Sequence, residues 1–149
     1  MPTLTRFYIK TAFAYLMLAL ALGALSGIGR FTSVSVVMPA LQPVAYHFFV
    51  LGWATQMIFG VAWWMFPRLS RQNPRGSERV AWLVYWLLNA GLILRAVAEP
   101  IQSVRSGFIP GLILFVSAVF QMTAVWIYAI SIWPRIQPPR PQQRVATER

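Results

Sequence analysis

The sequence contains no cysteine. That excludes disulfides, thiolate-held metals, iron–sulfur clusters and covalent haem attachment through CxxCH in this chain. Acidic residues are scarce, three in 149, and histidine occurs once, as His47. No phosphate-binding loop, nucleophile triad, paired-carboxylate pattern or metal-cluster spacing occurs. Any cofactor must therefore be held by histidine, methionine, carboxylate or packing. The missing acidic charge leaves a net charge of +10 and a pI near 11.6. The basic residues, however, lie in short stretches between long apolar runs and form no motif of a nucleic-acid-binding class. No nucleic-acid partner is expected.

Apolar residues fill the space that charge leaves. The chain is 58% hydrophobic and 11% charged, against about 25% charged in a soluble domain. Four runs approach or exceed the roughly 20 residues that a helix needs to span the hydrocarbon core. They cover about 7–28, 44–66, 80–97 and 108–133. The first could pass for a signal peptide, but its apolar stretch is longer than a usual signal core, and it reads as a retained span. Pro39 and Pro43 precede the second run, "PRLSRQNPRGSER" follows it, and Pro100 and Gly107 bracket the turn after the third. Pro110 falls in the first turn of the fourth, where its missing N–H costs nothing. The expectation is an all-α, four-helix transmembrane bundle over 1–137. A Pro/Arg-rich tail, 138–149, is expected to be extended and poorly ordered.

Flanking charge orients the bundle. Arg6, Lys10, Arg68, Arg71, Arg75, Arg79, Arg135, Arg140, Arg144 and Arg149 fall on one side; Arg30, Arg95 and Arg105 fall on the other. Ten against three places both termini in the cytoplasm, since basic loops stay inside. A bacterial inner membrane is the expected location. Trp63, Trp64, Trp82 and Trp133 are expected at the cytoplasmic interface, and Trp53, Trp86 and Trp126 deeper. Gly23 and Gly27 form a GxxxG, a pattern that permits close helix approach. Gln56, Asn89, Gln121 and Thr123 are expected to make interhelical hydrogen bonds.

His47 stands one turn into the second run, in "AYHFFVLGW". An ionisable group inside a membrane is a functional-site hypothesis by default. The stretch "HFFVLGWATQMIFGVAWWMFPR", His47 to Arg68, resembles the second helix of the catalytic subunits of the haem-copper oxidase superfamily. The resemblance rests on His47, Gly52, Trp53, Gly60, Pro67 and Arg68, and more weakly on "GLILRAVAEP". It implies that His47 is an axial ligand of a b-type haem. The departures are large. A second histidine common in that family is Ala45 here, and about twelve spans with six metal-binding histidines are reduced to four spans with one histidine. A haem–copper dioxygen centre cannot assemble on this chain.

The leading expectation is a small haem b-binding subunit serving electron transfer in a respiratory or photosynthetic complex, and not an enzyme alone. His47 binds the iron, Arg95 meets a propionate and Trp53 contacts the ring. The second ligand stays open among Met17, Met38, Met57, Met122, His47 of a second copy, or another protein. The bland reading pairs Arg95 with Glu99 and makes Glu99 a surface cap before Pro100. The alternative function is a cofactor-free structural or assembly subunit. Its partners would be membrane lipid, other membrane subunits or a second copy, and quinone.

Overall fold

The computed structural model describes residues 1–32, 40–67 and 76–136. Met38, Pro39, Arg68, Arg71, Arg75 and the tail 138–149 lie outside them, as does the side chain of Arg30. The described residues are 92% helical, with no strand among them. We name four helices: α1 (Thr3–Thr32), α2 (Gln42–Met65), α3 (Glu78–Val104) and α4 (Phe108–Ile136). Each is long and apolar enough to cross a membrane.

Two clusters show that the helices run up and down. At one end Leu4 and Tyr8 of α1, Phe59 and Trp63 of α2, Val84 and Tyr85 of α3, and Tyr128 and Ile132 of α4 share one buried core. At the other end Tyr15, Ala19, Val44, Phe48 and Leu92 form a second, smaller core to which α4 contributes no buried residue. The start of α1 and the end of α4 therefore share the first end. The outer surface is strongly apolar; Phe108, Phe115, Met122 and Ile130 all stand well exposed. In water such a surface would aggregate, whereas in lipid it is the ordinary face of a spanning helix.

Lipid offers no water to polar side chains, so they bond inside the bundle. Gln56 Nε2 donates to Asn89 Oδ1 at 3.2 Å, and Asn89 Nδ2 donates to the Tyr85 carbonyl at 2.8 Å. Ser117 Oγ donates to the Gly91 carbonyl at 2.7 Å, and Gln121 Nε2 donates to Ser117 Oγ. Tyr128 OH donates to the Phe59 carbonyl at 2.9 Å while its ring stacks on Phe59, centroids 3.6 Å apart. Gln56 and Asn89 thus bond between helices as their sequence positions suggested, whereas Gln121 bonds within α4. Thr123 is exposed instead.

Several local expectations change. The GxxxG pair makes no close approach: a Cβ on Gly23 or Gly27 would meet nothing within 4 Å. The glycines that admit a neighbour are Gly52, whose added Cβ would lie 2.6 Å from Tyr15 Cγ, Gly60, 2.7 Å from Tyr8 Cβ, and Gly91, 2.8 Å from Gln121 Cγ. Trp63 packs inside the bundle, 3% exposed. Trp86 and Trp126 stand on the outward face of the bundle. Pro100 does not end α3, which continues to Val104. A proline removes one N–H from the helix ladder, and spanning helices tolerate that loss when neighbouring groups take up the freed acceptors. Finally, α2 is not α-helical throughout. Between α-helical Gln42–His47 and Gln56–Met65, Phe48–Thr55 winds as a π-helix. The Thr55 hydroxyl donates five residues back, to the Val50 carbonyl, at 2.9 Å.

Candidate functional site

The site is built where α2 begins and α3 ends. Pro43 lies in the first turn of α2, where no backbone donor is needed. Its carbonyl stands 2.8 Å from His47 Nδ1. A carbonyl can only accept, so Nδ1 carries the proton and Nε2 of the neutral ring carries the lone pair. Across the helix interface, Arg95 Nη1 lies 2.5 Å from Nε2 and donates into that lone pair. Immediately after His47 the π-helical turns begin. Such turns are rare and recur at functional sites.

Because α3 continues through Pro100, Arg95 and Glu99 stand four residues apart on one helical face. Glu99 Oε2 comes within 3.6 Å of His47 Nδ1. The expected Arg95–Glu99 pair is not found among the described residues; both side chains turn to the imidazole instead, one to each ring nitrogen. Glu99 is also no surface cap, since its side chain is only 15% exposed. The result is a cation and a carboxylate on either side of a half-buried ring. Two polar atoms of this cluster, Arg95 Nε and Glu99 Oε2, are buried without a hydrogen-bond partner.

The other residues singled out from the sequence do not join the cluster. The Trp53 ring packs against Phe49, centroids 4.7 Å apart. Met17 and Met122 are exposed on the apolar surface, and Met57 is partly buried. No group of three or more His, Cys, Asp or Glu that could hold a metal ion occurs among the described residues. Beside the cluster, α2, α3 and α4 leave a groove of about 310 Å³. Leu51, Arg95, Ala118, Gln121, Met122 and Trp126 line it.

Sequence reasoning missed a second polar site at the opposite end. Arg135, counted there only as a flanking charge, is 3% exposed. Its Nη2 donates to the carbonyls of Trp63 and Phe66, at 3.1 and 2.7 Å, and its Nε to that of Pro67 at 3.1 Å. These carbonyls lie at the C-terminal end of α2, where helical acceptors lack partners and a cation meets the negative end of the helix dipole. Its guanidinium carbon also lies 5.4 Å from the centre of the Trp63 ring. One signal was available: Arg135 follows Pro134 directly, inside the last apolar turn.

The fold and site define an all-helical integral membrane protein with four spanning helices and one half-buried His–Arg–Glu cluster. No protein-family model, curated protein or solved structure matches the chain.

Proposed function

We propose that the chain is a cofactor-free structural subunit of a larger membrane complex, in which His47 clasps α2 to α3 through Arg95. One observation carries this reading: both ring nitrogens of His47 face partners inside the chain, Pro43 at Nδ1 and Arg95 at Nε2. As arranged, these residues do not fit a haem. Iron would need the Nε2 lone pair, which accepts the Arg95 proton. The clasp instead gives each buried polar group of the ring an acceptor or donor, which a spanning bundle requires. On this reading both termini face the cytoplasm, across a bacterial inner membrane, and the basic flanks support that orientation. A cysteine introduced as Ser70→Cys should then resist an impermeant thiol reagent applied to intact cells; labelling from outside would reverse the orientation.

A second reading keeps the haem b-binding, electron-transfer subunit, and it has its own observation. An Nδ1–H held by a backbone carbonyl, with Nε2 left as the free base, is how metal-ligating histidines are oriented. This arrangement sits on the stretch that resembles the haem-copper oxidase helix. Bound haem would supply one-electron transfer, and Arg95 would first have to leave Nε2.

One preparation separates the two. The full chain, purified from its native membrane with its partners, is compared with His47→Leu by reduced-state absorption. The clasp reading expects no haem that depends on His47, and a variant that inserts but unfolds more easily. One b-type haem per chain, lost in His47→Leu, would replace the clasp reading with the second.

A further inference from the structure

The groove beside the cluster has two unlike ends. Ser117 of α4 donates to the Gly91 carbonyl of α3, which sets the register of these antiparallel helices. Arg95 lies one turn from Gly91 toward the loop that joins them, roughly 14 Å from the end of α3 at 1.5 Å per residue. Ala118, Met122 and Trp126 run the other way, toward the middle of the bundle. The groove therefore has a cation at its end nearer the loop and an apolar floor leading away from it. Its position on the exposed face of α4 opens it to lipid: Met122 and Trp126 are 64% and 60% exposed.

Arg95 has donors to spare. Nη1 serves His47, while Nε is buried and has no acceptor among the described residues. A buried donor without an acceptor is costly, and more so on a charged group. Glu99 is no rival for these donors, because its near contact is with His47 Nδ1 and no Arg95–Glu99 ion pair within 4 Å is found. What the groove calls for is a phosphate or similar oxyanion attached to an apolar chain. Guanidinium forks suit such oxyanions through paired hydrogen bonds.

We infer that this groove binds an anionic phospholipid, its phosphate on Arg95 and one acyl chain along Ala118, Met122 and Trp126. The site does not require His47 to let go of Arg95, so lipid and clasp coexist. It goes beyond the structural reading proposed above, and its readout is separate from haem content.

The test uses the full chain in phosphatidylcholine vesicles carrying a small fraction of lipid brominated along its chains. Bromine quenches nearby indole, and subtracting the signal of Trp126→Phe isolates Trp126. Quenching of Trp126 should favour brominated phosphatidylglycerol over brominated phosphatidylcholine by about fivefold in relative association, the effect of one well-placed arginine at a membrane surface. Arg95→Gln should erase the preference, and Arg95→Lys should keep part of it. Ala118→Leu, which fills the floor and leaves the charge, should lower quenching by both lipids. Equal quenching by the two lipids in the unmodified chain would overturn the proposal. So would a preference that survives Arg95→Gln, or relief of the quenching by a neutral short-chain benzoquinone but not by unbrominated phosphatidylglycerol.

Discussion

Arg135 and Arg95 reach into opposite ends of the same bundle, and they are held in opposite ways. Arg135 meets three backbone carbonyls at the end of α2 and lies against Trp63, in the core that all four helices share. Arg95 meets one imidazole nitrogen and keeps a buried donor without an acceptor, at the end where α4 leaves the core. A guanidinium held by three backbone carbonyls is a lock. A guanidinium held by one side chain, beside a groove, has capacity left for something else. The difference follows from the helices. At the Arg135 end, unpaired carbonyls of a helix terminus converge on one cation. At the Arg95 end, α3 lies well inside its helical span, where its carbonyls bond within the helix, save that of Ala96, to which Pro100 cannot donate.

The contrast makes the Arg135 end the more sensitive to mutation. Arg135→Leu should cost about 3 kcal/mol of unfolding free energy, because several acceptors lose a charged donor at once. Arg135→Lys should fall between, since an ammonium reaches fewer carbonyls in a fixed geometry. Denaturation in mixed micelles followed by circular dichroism measures both. A loss under about 0.5 kcal/mol, typical of a surface change, would show that the lock does not hold the bundle.

A smaller effect tests the packing that brings α1 onto the π-helical stretch. Gly52→Ala should cost about 2 kcal/mol, the scale of overpacking a filled interior. The new Cβ would stand 2.6 Å from Tyr15 Cγ, close to the root of that side chain, so the ring cannot simply swing away. Gly23→Ala, in the GxxxG pattern, meets nothing within 4 Å. It should be neutral or stabilising by up to about 1 kcal/mol through helix propensity alone. The reverse order in the same unfolding assay would mean that α1 packs through Gly23 instead.

What the sequence made legible, and what it did not, divides along the same physical line. The four spans were readable because apolar runs of that length have few alternatives; the helices overrun the expected boundaries mainly where polar ends such as Gln102 and Ser103 stay helical beyond the apolar stretch. His47 and Arg95 were readable as candidates because a polar group in an apolar run stands out. Their contact was not, since 48 residues separate them and periodicity carries no information on which face meets which helix. Glu99 was misread because Pro100 looked like a helix end. The π-helix left no signal, since Phe48–Thr55 has the same apolar composition as an α-helical span. Gly23 and Gly27 misled for the opposite reason: the motif marks permission for close approach, and only a partner helix decides whether it is used.

The clasp between His47 and Arg95 can be observed directly, because the chain has a single histidine. With ¹⁵N-labelled histidine in the full-length protein in lipid bilayers, magnetic resonance reports each ring nitrogen without ambiguity of assignment. The account predicts a proton on Nδ1 and an unprotonated Nε2 that accepts a hydrogen bond. It further predicts that Arg95→Leu shifts the Nε2 resonance toward that of a free base and leaves Nδ1 nearly unmoved, held by Pro43. A proton found on Nε2, or an Nε2 resonance indifferent to Arg95→Leu, would contradict it.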